Sequence, residues 1–262
     1  MVRSARVVVE NRCFSDSIVI RTYSIDQLRG LISWQYFYYA WGVAGKSDAD
    51  CQSLRKDADR MLDEWQLTRQ SQAMLLRLPA NSDGDDILLG QNLEIRIPML
   101  RQQKAEKPGE PLLCLADFVR PLSQGIRDEI GVFCTSMGID IDQIYASDPY
   151  LRMLAITLAD RLAEATAEMI SKEMPGIRPA VGYPVMPDMS LNFLLDDILD
   201  MSQIGITLTE SGMMQPHSSV SGLIFGHPAA RYFIVGPVGD DQLADYAVRR
   251  GYTIGEMKRF IK

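Results

Sequence analysis

The residues from Asp148 onward constrain the fold more than any other stretch of the chain. Asp148-Pro149 is a helix cap followed by proline at the first helical position, where its missing N–H costs nothing. Behind that start, Leu151, Leu154, Leu158, Leu162, Ala165 and Met169 recur with helical period as a narrow apolar stripe. Ala155, Ala159, Ala163 and Ala167 make a second face of small residues, so another element can approach the helix closely there.

The elements around this helix do not alternate as strand–helix–strand repeats. Residues 5–10 and 17–22 are β-branched and predict two short strands. Ser24-Ile25-Asp26-Gln27 has the capping-box pattern and starts a helix running into Leu31. After an aromatic cluster (Trp34, Tyr36, Phe37, Tyr38, Tyr39, Trp41) closed by Gly42, a second helix is expected over 48–65. A strand over 73–78, a turn at Asn81-Ser82-Asp83-Gly84, and hairpin arms at 87–89 and 93–97 follow, then a polar loop over 104–110 and a strand over 130–134. Beyond the long helix come a helix over 190–199 and strands over 206–209, 220–225 and 232–235, the last two read as a hairpin across His227-Pro228-Ala229-Ala230. Two terminal helices close the chain, one over 241–249 ended by Gly251 and one capped by Thr253 with Glu256 three on. This pattern is α+β with a largely antiparallel sheet. No repeat or linker divides it, so one domain spanning 1–262, with 1–23 as an N-terminal extension, is the expected organisation.

Composition narrows the function. A formal net charge of −7 and the lack of any Lys/Arg-rich run argue against a nucleic-acid partner. No stretch reaches the ~18 apolar residues of a membrane span, and Glu10, Asn11 and Arg12 interrupt any signal-peptide core, so a cytoplasmic location is expected. The four cysteines form no C-x-x-C pair, and His217 and His227 stand outside any metal-ligand spacing. A dinucleotide-binding G-x-G-x-x-G, a P-loop and a G-x-S-x-G elbow are all missing.

Three patches carry chemistry. In Gly176-Ile177-Arg178-Pro179-Ala180-Val181-Gly182-Tyr183-Pro184, prolines and glycine build a rigid loop around one arginine and one tyrosine. That suits gripping a carboxylate with a guanidinium fork, and equally describes a connector with a solvated arginine. The run from Thr209 to Gly222 (TESGMMQPHSSVSG) is rich in small hydroxyl residues and glycine, either a ligand cradle or a strand–loop–strand corner. The third, Phe225-Gly226-His227-Pro228 through Tyr232-Phe233, is by itself a hairpin.

In order and spacing these patches resemble the activation domain of cobalamin-dependent methionine synthase. That family carries R-P-A-x-G-Y-P, then T-E-S-x-x-M-x-P-x-x-S-V-S-G, then F-x-H-P and a Tyr pair. The likeness continues upstream through WQYFYYAWGVAGK (34–46), DADRML (57–62), LPANSDGDD (78–86), LRQQ (100–103), LADFVRP (115–121) and LADRLAEATAE (158–168), covering nearly everything from Ser24 on. The resemblance implies a C-shaped α+β domain with a bent, mainly antiparallel sheet flanked by helices. It implies a groove for S-adenosylmethionine, used when an electron from a flavodoxin-like donor and a methyl group restore methylcobalamin from cob(II)alamin. Carried over, Arg178 pairs with the ligand carboxylate, Ala180, Gly182 and Tyr183 line its groove, and Tyr232 lies against the nucleoside. Glu164 matches an acid near the cationic end; by helical phase it lies opposite the leucine stripe, where a solvated glutamate is also ordinary.

The chain departs from the pattern at three places. Ser33 stands where the family has an Asp, Phe233 replaces the second Tyr of the pair, and the segment between Glu168 and Gly176 is shorter. Loss of one charged partner costs about 1.5–3 kcal/mol. Neither histidine sits in the D-x-H-x-x-G pattern of a corrinoid ligand, and no Cys-rich zinc site exists for homocysteine, so cobalamin is expected on a partner protein only. The expected role is a component of the methionine synthase methyltransferase system in methionine biosynthesis, incomplete as an enzyme alone. The alternative is a non-catalytic docking or regulatory module for another corrinoid methyltransferase, with altered or lost ligand binding. An independent methyltransferase would need a glycine-rich strand–loop–helix that is missing here.

Overall fold

The computed structural model describes residues 17–45, 48–105, 107–138 and 144–261; the expected strand over 5–10 lies outside them. The centre is a long strand, β2 (Gln70–Asp83), that organises the sheet by pairing with different partners along its length. Its first half takes β1 (Val19–Ser24) on one side and its last residues take β3 (Asp86–Leu89) on the same side, while β5 (Asp128–Ser136) runs along the other. β4 (Ile95–Pro98) extends the sheet beyond β3, and β8 (Ser219–Phe225) beyond β5. Every one of these pairings is antiparallel, so the α+β reading holds.

β2 outruns its apolar stretch because its polar end is bonded rather than solvated. Asn81 Nδ2 donates to the Arg120 and Ile126 carbonyls, and the Ser82 hydroxyl donates to Val119 O. The expected turn therefore shifts to Gly84 and Asp85, beyond the strand. Leu93 sits at φ 54, outside β4, which begins only at Ile95.

Alternation along the strands sends side chains to two separate cores. Met74, Leu76, Leu78 and Ala80 of β2 join Ile130, Val132, Leu223 and Phe225 on one face, covered by α5 (Leu191–Leu199) and α6 (Asp240–Arg250). Ala73 and Leu75 join Phe133, Val220 and Ile224 on the other. That second face is covered by α1 (Ile25–Arg29), α2 (Trp34–Ala40), α3 (Asp48–Thr68) and α4 (Pro149–Ser171). Among the described residues no helix is long and apolar enough to cross a membrane.

The helix starts follow their local signals. Ser24 and Thr253 form complete capping boxes with Gln27 and Glu256, the latter opening α7 (Ile254–Phe260). Asp148 accepts from the amides of Tyr150 and Leu151 ahead of Pro149. On α4, Leu154, Leu158 and Leu162 are fully buried, whereas Leu151 is exposed because the first turn projects past the core. The alanine face does bring the sheet close: Thr135 Oγ1 donates to Ala163 O at 3.0 Å, and Thr166 Oγ1 reaches Ser71 Oγ at 2.6 Å.

One strand expectation fails after β8, and one before it is met only in part. Residues 232–235 pair with no strand; Val235 N–H donates to Pro184 O and Ile234 O accepts from Gln102 Nε2. The bonds that a hairpin would have offered β8 are made instead by residues 177–181. Of the expected strand over 206–209, Thr207–Leu208 (β6) pairs with Met214–Gln215 (β7) in a separate two-stranded ribbon.

Candidate functional site

The loop that follows α4 is laid onto the free edge of β8. Ile177 and Phe225 exchange both backbone bonds, Leu223 N–H donates to Pro179 O, and Val181 N–H donates to Ser221 O. An edge covered in this way is closed to other chains, and Arg178 is held between two anchored residues. Two glycines make the approach feasible. A Cβ on Gly176 would lie 2.1 Å from Phe225 O, and one on Gly222 would lie 2.2 Å from Pro179 O.

Beyond Val181 the loop reverses. Gly182, at φ 86, donates to Met186 O, and Met186 N–H donates to Tyr183 O. Pro184 O then receives Val235 N–H, which draws residues 232–234 across the open side. Between α4, this loop and that segment lies a pocket of about 450 Å³, within the range of small-molecule sites. Glu164, Arg178, Ala180, Tyr183, Tyr232 and Phe233 line it, together with Pro184, Val185 and Ile234. Six of the eight residues expected at the site therefore meet around one cavity. Gly182 shapes the loop without lining it. Ser33 caps α2 without a side-chain cap bond and lies outside the lining.

The polar contacts inside are concentrated on Arg178. Its backbone N–H donates to Tyr232 Oη at 3.0 Å. Its guanidinium faces two carboxylates of α4, Glu164 at 3.5 Å and Glu168 at 4.0 Å. Tyr183 Oη donates to Glu164 Oε1 at 2.5 Å. Burial pushes the Tyr183 phenol well above its ordinary value and the Glu164 charge and hydrogen bond add to that, against Arg161, so it keeps its proton. One α4 turn earlier, Asp160 is also raised, by desolvation first and by Glu164 last, against the Ser218 hydroxyl, Arg161 and His217. Phe233 is buried against Phe118 and presents only part of its surface.

The serine- and glycine-rich patch is a corner behind the site. Asn192, fully buried, donates to Gly212 O at 2.7 Å and accepts from Ser221 Oγ, tying α5 and the 209–213 turn to β8. Glu168 was not singled out from the sequence. Its signal was its position four residues after Glu164, which puts both acids on one helix face.

A single guanidinium in an aromatic-lined pocket, with two acids beside it, can hold a carboxylate and a cationic group together. The family profile described as "Vitamin B12 dependent methionine synthase, activation domain" matches residues 24–175 and 168–251. A solved structure, "Crystal Structure of the MetH Reactivation Domain bound to AdoHcy", superposes with a TM-score of 0.82 at 33% identity, covering 93% of this chain and 88% of that one.

Proposed function

Because this chain belongs to the family of activation domains of vitamin B12-dependent methionine synthases, we propose that it binds S-adenosylmethionine in the Arg178 pocket. There it supports reductive methylation of cobalamin on a methionine synthase supplied as a separate polypeptide. The observation that carries this reading is Arg178 itself, fixed by the β8-bound loop and pointing into a pocket lined by Tyr183, Tyr232 and Phe233. A structural relative with 33% identity holds AdoHcy, which shares the ligand's adenosyl and amino-acid parts.

The residues divide the ligand by charge and polarity. Arg178 takes the carboxylate through its planar fork, and Glu164 stands near the sulfonium. Tyr232 offers an exposed ring to the nucleoside while its hydroxyl steadies Arg178. Ala180 and the backbone of 178–181 form the floor. The partner's cobalamin, reduced by a flavodoxin-like donor, supplies the methyl acceptor; this chain positions the donor group over it. Residues 24–262 act as one functional unit, working in the cytoplasm.

A docking module for another corrinoid methyltransferase is the second reading. The observation favouring it is Ser33, which brings no charge and lies outside the pocket. One experiment separates the two. A methionine synthase fragment carrying cob(II)alamin but no activation domain is mixed with this protein, reduced flavodoxin and S-adenosylmethionine. Recovery of the methylcobalamin absorbance that depends on this protein supports the first reading; its absence overturns it.

A further inference from the structure

We propose that Gln102 is a positioning residue for the Arg178 pocket: its buried side-chain amide fixes residues 232–234, which form one wall of that pocket. The inference rests on the reading of the pocket as the ligand site and adds to it a residue that lies behind the lining.

The wall itself is weakly held. Tyr232, Phe233 and Ile234 all line the pocket, yet they belong to no strand. Among the described residues, the stretch 232–235 makes one bond to other backbone, from Val235 N–H to Pro184 O. Phe233 is buried beside Phe118, while Tyr232 and Ile234 are 58% and 60% exposed. A segment with so few backbone bonds and two exposed side chains opens readily unless other polar contacts fix it. The Ile234 carbonyl makes such a contact, accepting from Gln102 Nε2 at 2.8 Å.

Gln102 is built to make that bond. It is 2% exposed, and a buried amide needs partners for both its donor and its acceptor. Leu113 sets the amide's orientation. Gln102 N–H donates to Leu113 O at 2.9 Å, and Leu113 N–H donates back to Gln102 Oε1 at 2.9 Å. Because the Leu113 N–H can only donate, the amide oxygen must face it, which turns Nε2 toward Ile234 O. The residues on either side tie down the start of α6 instead. Arg101 N–H donates to Gln242 Oε1, and Gly239 N–H donates to Gln103 Oε1. Neither Gln242 nor Gly239 lines the pocket, so of the three consecutive residues Gln102 is the one that reaches the wall.

The test is calorimetric titration with S-adenosylmethionine of the full chain and of Gln102→Met, Gln102→Glu and Gln103→Met, with melting temperatures measured alongside. Gln102→Met keeps the side chain's length and removes the donor; its affinity should be about 5–10-fold weaker. Gln103→Met loses a contact of α6, so it should melt lower and bind as the unsubstituted chain does. Gln102→Glu keeps an acceptor for Leu113 N–H and donates to Ile234 O while its carboxyl is protonated. Burial raises such a carboxyl, so relative to the unsubstituted chain its affinity should fall between about pH 5 and about pH 8. Normal binding by a Gln102→Met protein that melts lower would make Gln102 purely structural and overturn the inference alone. An equal loss in Gln103→Met would do the same. Should Gln102→Met fail to fold, the Gln102→Glu profile decides, and one parallel to that of the unsubstituted chain overturns the inference. Failure of the unsubstituted chain to bind S-adenosylmethionine overturns the ligand reading and the inference with it.

Discussion

The hydroxyl of Tyr232 accepts the backbone N–H of Arg178 at 3.0 Å, joining the segment after β8 to the loop before it at the residue on which the site depends. An aromatic ring for the nucleoside and a brace for the arginine are thus combined in one side chain. The two roles can be separated.

Tyr232→Phe keeps the ring and removes the brace. A neutral hydrogen bond contributes about 0.5–1.5 kcal/mol, so affinity for S-adenosylmethionine should fall roughly 2–10-fold. Tyr232→Ala, which removes both, should fall further. Calorimetry on the pair measures the difference; equal losses would show that the hydroxyl does nothing.

Gly222 is where the loop and β8 come closest. Gly222→Ala places a methyl group 2.2 Å from the Pro179 carbonyl oxygen, with Phe133 behind it. Overpacking of this kind costs about 1–3 kcal/mol, a fall in unfolding temperature of roughly 2–10 °C for a chain of this size. Ligand affinity should fall with it, because Pro179 is next to Arg178. Gly255→Ala is the control: nothing lies within 4 Å of its Cβ and it sits in α7, so its melting temperature should hold or rise.

Asp160 gives a pH dependence with a definite sign. Its folded-state value is raised above 3.8 by desolvation, so the native state favours the protonated acid. Below 3.8 both folded and unfolded states carry the proton and no penalty exists. As pH rises through the folded value, a charge must form at this partly buried site and stability is lost. Asp160→Asn should therefore melt higher than the unsubstituted protein at pH 7, with the gap closing toward pH 4. A gap that widens on acidification would contradict this.

The parts of this fold that were legible in sequence are those set by local chemistry. Ser24 with Gln27, Thr253 with Glu256, and Asp148 before Pro149 each bond to their own helix start, so neighbours in sequence suffice. Residues 232–235 misled for a physical reason. An apolar run reads the same whether its amides meet a strand or, as here, a loop carbonyl such as Pro184 O. The length of β2 was hidden because Asn81 and Ser82 find carbonyls from residues 119, 120 and 126, which sequence distance conceals. At the site, the family resemblance implies that Arg178, Tyr183, Tyr232 and Glu164 share one ligand groove, and in the fold all four line one pocket. The contact of Glu168 with Arg178 needed the fold, since the loop carrying Arg178 arrives opposite it only in three dimensions.

The most direct measurement is calorimetric titration of this protein with S-adenosylmethionine, alongside Arg178→Ala. The account predicts saturable binding with one ligand per chain, abolished or weakened at least tenfold by the substitution. Absence of binding at millimolar ligand, or equal affinity in the two proteins, would contradict it.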